Sequence, residues 1–381
     1  MIIYKTYSEL FPEKFEEGYV FNGRTSCSVK QGYQCRRIKL NADGIVFTIA
    51  SGFFMPYMTA LTKDVEKTLF LRRFNVPYWG LTYVSGNDMY WYRLEQSLGR
   101  FNIVGTTVKD PDALPQDLLA DEKHTRRNGN KHYIAMTVAK ECILGAEITD
   151  SASENSLTQA YGVFAHEARS IKPDYQPNTV NTDGWAATQN AWKYWFPQIM
   201  IILCFLHAFI KIRDRATKAL VISFNEVAAK VWDAYKATSK ASFSQQLRRL
   251  QEWTVKHVPE SPMKHHIIDL YMKRNRFTEA YNHEYVHRTS NMVDRLMKLF
   301  DRACFNAMYF HGTLESAKQR VRAWAILYNF CPSSPTIVKK YNGLLSPAQR
   351  LNNKSYDDNW LVNLIVSASM NGNSSYQLNP L

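Results

Sequence analysis

Three aspartates are placed where carboxylates could do chemistry. Asp183 closes a short β-prone run, NTVNTD, and Gly184 follows at once. Asp121 lies inside DLLADEKHT, a second β-prone run, and Asp294 lies in HRTSNMVDRLMKLFDRACF, an amphipathic stretch over residues 287–305. Acids gathered in one cleft repel each other. A divalent cation removes that cost, and an all-oxygen set suits Mg²⁺, with Mn²⁺ as a substitute. Two such ions can activate water or a 3′-hydroxyl and stabilise the leaving oxygen of a phosphoryl transfer. Close after Asp183 comes Cys204-Phe-Leu-His207, at the end of an unbroken apolar run.

The elements around these residues decide whether the acids can meet. Residues 117–125 read as a strand, Asn128-Gly129 as a hairpin turn, and residues 132–138 as the returning strand. CILGAEI is a third strand. SENSLTQAYGVFAHEARSI is a helix capped by Ser153. NTVNTD is a fourth strand, GWAATQNAWKYWF a helix closed by Pro197, and QIMIILCF a fifth strand. The order β-β-β-α-β-α-β predicts an α/β fold with a ribonuclease-H-like mixed five-stranded sheet. The first and fourth strands are neighbours at its centre, which directs Asp121 and Asp183 into one cleft. A Rossmann sheet would alternate from the start and carry a glycine-rich turn after its first strand, and none is present. Over residues 287–305, Met292, Leu296, Leu299, Phe300 and Ala303 share one face, and Asn291, Asp294, Arg295, Lys298 and Arg302 the other. Packing the apolar face on the sheet aims Asp294 at the strand ends, within roughly 4–8 Å of the other two acids, and leaves Arg295 and Lys298 free for phosphates. Glu284, just before this helix, is the rival third acid.

The chain has 381 residues, 47 Lys and Arg against 34 acids, and a formal net charge of +13. That balance favours a polyanionic partner, nucleic acid before an anionic membrane surface. The longest apolar run, residues 199–209, is too short to span a bilayer. Six scattered cysteines with no CxxC pair fit a reduced cytoplasm. Five segments are expected. Residues 1–115 form a helical, helix-turn-helix-like DNA-binding unit, where residues 59–74 carry Arg72 and Arg73 on the polar side and Ser85–Asp88 breaks two helical patterns. Residues 109–116 read as a linker. Residues 116–207 form the first part of the core, 208–285 a helical insertion, 286–330 the last core helices, and 331–381 a basic, partly irregular tail.

LLADEKHTRRNGNKHYIAM, VNTDGW, CFLH and RTSNMVDRL, in that order, resemble a DDE-type insertion-sequence transposase with a ribonuclease-H-like catalytic domain. Cys204-x-x-His207 is similar to the C-x-x-H element of Mutator-like and hAT transposases, which also interrupt the core with a helical insertion. The resemblance covers residues 116–330. It implies that Asp121, Asp183 and Asp294 hold two Mg²⁺ ions, cleave 3′ ends at terminal inverted repeats, and join them to target DNA. It also implies a homo-oligomer on duplex DNA in a prokaryotic nucleoid. Asp294 departs from the pattern, since such families usually carry glutamate there. A structure-selective nuclease or resolvase on the same fold, and an inactive descendant that only binds DNA, are the alternatives.

Blander roles compete at several positions. An aspartate closing a strand before glycine is often a turn residue. Glu122 should face the other side of the strand from Asp121 and serve structure. Cys204 and His207 are too few for a structural zinc site; a packing role is expected, with His207 near the substrate strand. Trp185 and Trp192 read as core, and His265-His266 as a solvated basic face.

Overall fold

Short alternating segments near the start build a small antiparallel sheet, β1 (Tyr19–Arg24), β2 (Arg36–Leu40) and β3 (Val46–Ile49). The computed structural model describes residues 2–27, 29, 32–55, 60–283 and 286–369. The central sheet follows with β4 (Asp117–Arg127), β5 (Asn130–Ala139), β6 (Cys142–Thr149), β7 (Thr179–Thr182) and β8 (Met200–Leu203). Its order is β6-β5-β4-β7-β8. The β4–β5 and β5–β6 pairs are antiparallel, and β4–β7 and β7–β8 are parallel. Asn128 and Gly129 both take positive φ, which suits the two-residue turn that joins β4 to β5.

Side chains alternate across β4 and separate two cores. Leu119 points toward the helices Asn291–Asn306 and Leu314–Phe330. Leu118 and Ala120 point toward the helices Glu154–Ile171 and Ala186–Trp195. Ser153 caps the first of these, accepting from the Ser156 N–H at 3.3 Å. A third core lies in the helical insertion, where Val227, Val231, Phe243, Leu247, Leu250, Ile267 and Leu270 pack together. The chain leaves for this excursion at Phe205 and returns at Arg288, whose carbonyl accepts from the Phe205 N–H at 3.0 Å.

The two ends of the chain depart from expectation. The first 115 residues are not a separate helical unit. They contain the β1–β3 sheet, and their helices Thr62–Phe70 and Asp88–Leu98 join the core of the central sheet through Leu69, Trp91, Leu94 and Leu98. The break at Ser85–Asp88 is present, but the helix after it buries Trp91, Leu94 and Leu98, and it packs on Leu314–Phe330. Nor is 109–116 a simple linker: Lys109 is 6% exposed, its Nζ donating to the Gly105 carbonyl at 2.6 Å and to that of Ser367. Residues 331–369 are likewise no irregular tail. The helix Trp360–Ala368 buries Trp360, Leu361 and Leu364, because its apolar residues recur at helical spacing. Residues 370–381 lie outside the described residues. Among those described, no helix is long and apolar enough to cross a membrane.

Candidate metal centre

The site begins where β7 leaves the sheet. Pairing of β4 with β7 ends at Leu119 and Asn181, so around Asp121 β4 is paired with β5 alone, before Phe310 bridges its far end. Asp121 stands in that stretch, paired with Met136. β8 ends at Leu203, and the helix Phe205–Arg213 begins at once and carries His207 in its first turn. The helix Asn291–Asn306 carries Asp294 in its own first turn, where a carboxylate is favoured by the exposed backbone N–H groups.

These elements converge three side chains. Asp121, His207 and Asp294 each offer one ligand atom, and all three atoms lie within 4.8 Å of one another. Ser290, only 1% exposed, ties the group together. Its hydroxyl donates to Asp294 Oδ2 at 2.7 Å and lies 3.4 Å from His207 Nδ1 and 3.2 Å from Cys204 Sγ. The Ser290 N–H also donates to Cys204 Sγ at 3.2 Å. Cys204 is 2% exposed, which agrees with a packing role.

Asp183 stands outside this group. Its Oδ1 accepts the Trp185 N–H at 2.8 Å, closing a local turn over Gly184, whose φ is +95°. It faces a cleft lined also by Gly184, Leu203, Lys211, Lys273 and Arg276. The group within 4.8 Å is therefore two acids and an imidazole, with Asp183 beyond that span yet near enough for its charge to act on Asp121. Glu284 lies outside the described residues.

Electrostatics follow from burial. Asp121 is pushed up to about 7, first by burial; His207 opposes this, and Glu122 and Asp183 reinforce it. Glu122 projects to the other face, as strand alternation requires. It accepts from Tyr161 Oη at 2.6 Å and Thr188 Oγ1 at 2.7 Å, and burial lifts it to about 7. His207 is raised to about 9, first through its hydrogen bond with Cys204, against the opposing effect of burial, and further by Asp121 and Asp294. Burial pushes the Cys204 thiol up, but His207 outweighs it and the net shift is down. Without metal these partners favour the protonated ring beside the two acids, so a cation that takes the site must displace that proton. The ring C–H resonances of His207 should titrate near 9 by NMR without metal, and lower in Asp294→Asn. Because the folded value lies above the unfolded one, this contribution to stability is full below about 6.5 and is lost as pH rises through about 9. A midpoint near 6.5 would remove the ion pair from the site.

The donor set fits a divalent cation. Two carboxylates and an imidazole are ordinary ligands for one, and among the described residues no Lys or Arg forms an ion pair with Asp121 or Asp294. The other expected residues are scattered. Arg295 and Lys298 are exposed on the helix of Asp294. Arg72 is not available to DNA: its Nε donates to Glu95 Oε2 at 2.6 Å and its guanidinium stacks on Tyr78. Arg73 lies over the Tyr328 ring at 4.4 Å. Trp192 is core, but Trp185 is 40% exposed. His265 is solvated beside Glu260. His207 as a member of the convergent group went unforeseen; the signal was its place one helical turn past a strand end. No family model matches the chain, and no curated protein matches it.

Proposed function

We propose that the protein is a metal-dependent DNA phosphoryl transferase of the transposase type. The observation that carries this is the meeting of Asp121 and Asp294 at the open end of a mixed sheet ordered β6-β5-β4-β7-β8. That order, with a helical insertion after the fifth strand, supports a ribonuclease-H-like reading. Asp121, Asp294 and His207 would hold a divalent cation that polarises a phosphate and the attacking oxygen, and Asp183 stands at the rim, where a second ion would need a carboxylate. Arg295, one residue beyond Asp294, and Lys298, one helical turn on, are exposed and suited to neighbouring phosphates. The net charge of +13 supports a polyanionic substrate. Two subunits would hold paired ends.

A structure-selective nuclease is the second reading. It is favoured by the packing of Asp88–Leu98 into the main body, which leaves no separate helix-turn-helix for end recognition among the described residues. One experiment covers both. The protein is incubated with Mn²⁺ or Mg²⁺, supercoiled plasmid, and duplexes copied from the DNA flanking its gene. Nicked ends joined to the plasmid are expected, and chelation should abolish them. Hydrolysis without joining selects the nuclease, and no metal-dependent cleavage of any of these DNAs sinks both.

A further inference from the structure

We propose that His207 is a metal ligand, and that Asp121, His207 and Asp294 form a one-nitrogen, two-oxygen site selective for first-row divalent cations such as Mn²⁺ and Co²⁺ over Mg²⁺. This rests on the reading of the cluster as a metal centre and adds which metal it takes. Mg²⁺ prefers oxygen and retains its waters, whereas imidazole binds the later first-row ions more tightly. A site made of acids alone would separate these ions less. Here the third converging atom belongs to an imidazole, and Asp183, the acid expected in its place, lies outside.

The surroundings of the ring support a built ligand. The Ser290 hydroxyl touches two of the three side chains, at 2.7 Å from Asp294 Oδ2 and 3.4 Å from His207 Nδ1. Ser290 is therefore a positioning residue. A single buried hydroxyl fixes both a carboxylate and an imidazole, as the outer partners of metal ligands commonly do. The soft Cys204 sulfur accepts the Ser290 N–H at 3.2 Å, lies 3.2 Å from its hydroxyl and also hydrogen-bonds the His207 ring, and it is not among the converging atoms. The converging set is thus borderline, one nitrogen and two oxygens.

Isothermal titration of the full chain with Co²⁺, Mn²⁺ and Mg²⁺ tests this without DNA. Wild type should bind Co²⁺ and Mn²⁺ at least about tenfold more tightly than Mg²⁺. His207→Gln should lose at least about tenfold in Co²⁺ affinity and less than about threefold in Mg²⁺ affinity. Ser290→Ala should weaken Co²⁺, and Ser290→Thr should restore it. A readout on the unmodified protein guards against variants that fail to fold: Co²⁺ should give the His207 ring protons the large contact shifts of a directly ligated imidazole, and Mg²⁺ should not. Equal affinities for Co²⁺ and Mg²⁺, with no contact-shifted ring and an indifferent His207→Gln, overturn the inference and leave a carboxylate-only centre standing. No divalent binding at all overturns the metal centre with it.

Discussion

Asp121→Asn should abolish metal-dependent strand cleavage, lowering the rate at least about a thousandfold, or about 4 kcal/mol in barrier. The substitution keeps shape and removes charge. The side-chain oxygen that accepts the Glu122 N–H at 2.9 Å survives in asparagine, so β4 has no reason to shift. What is lost is one of the two converging carboxylates, and with it much of the attraction for a cation. Metal-free affinity for duplex DNA should stay within about twofold, because phosphate contacts set that term. A second signature follows from the protonation of Asp121. Burial raises it to about 7, so protons compete with metal near neutrality. At limiting metal, wild-type cleavage should therefore rise as pH passes upward through about 7 and go on rising toward about 9, where the His207 ring also gives up its proton. Asp183→Asn should cost less, since Asp183 lies outside the converging three. An Asp121→Asn protein that cleaves at the wild-type rate would sink the assignment.

Arg322→Leu should destabilise the fold by about 3–5 kcal/mol, read from the urea midpoint. Arg322 is 6% exposed. Its Nε donates to the Gly99 carbonyl at 3.1 Å, and its Nη2 donates to the Phe101 carbonyl at 2.9 Å and to Glu167 Oε1 at 2.5 Å. Glu167 also accepts the Val104 N–H at 3.0 Å, and Glu147 lies 3.9 Å from Nη1. Removing the guanidinium leaves two buried carboxylates with one fewer cation, and two carbonyls without their donor. Glu147, which burial already raises against the opposing Lys318 and Arg322, should then bind its proton still more readily in the folded state. Stability of the variant should accordingly fall as pH rises, so its deficit should be smaller near pH 5 than near pH 8, roughly spanning the raised carboxylate range. A variant with the wild-type midpoint would mean that the network contributes nothing net.

Much of this arrangement is written in short-range chemistry. Asn128-Gly129 marks the β4–β5 turn because both positions need positive φ. The alternation in β4 separates Asp121 from Glu122. The amphipathic pattern of Asn291–Asn306 sets Asp294 against the sheet. Other features depend on tertiary geometry and leave little local trace. The β5–β6 turn uses Lys140 and Glu141, both at positive φ without glycine, and Glu141 is held there by Arg350 at 3.0 Å. Arg72 looks like a solvated base until Glu95, one helix away, is placed beside it. His207 enters the site because the helix that follows β8 at once carries the ring in its first turn. The strands β1–β3 are short, mostly exposed and weakly patterned, so helical neighbours overshadowed them.

The hydrogen bond between Phe205 and Arg288 has an architectural consequence. Closing an excursion of roughly eighty residues costs on the order of 4 kcal/mol in chain entropy, and that cost changes slowly with length. Here departure and return are stitched together again by Asn181 Nδ2, which donates to the His287 carbonyl at 2.8 Å, and by the contacts of Ser290 with Cys204. The excursion carries its own core, and the stitch is its root: Phe205 belongs to that core, and the Arg288 guanidinium lies over the Tyr235 and Tyr281 rings. The chain is thus built like a socket with an exchangeable head. Segments of different length could be grafted beyond the helix Phe205–Arg213, which must stay because it carries His207, with the spacing of Asp121 and Asp294 still set by the frame beneath.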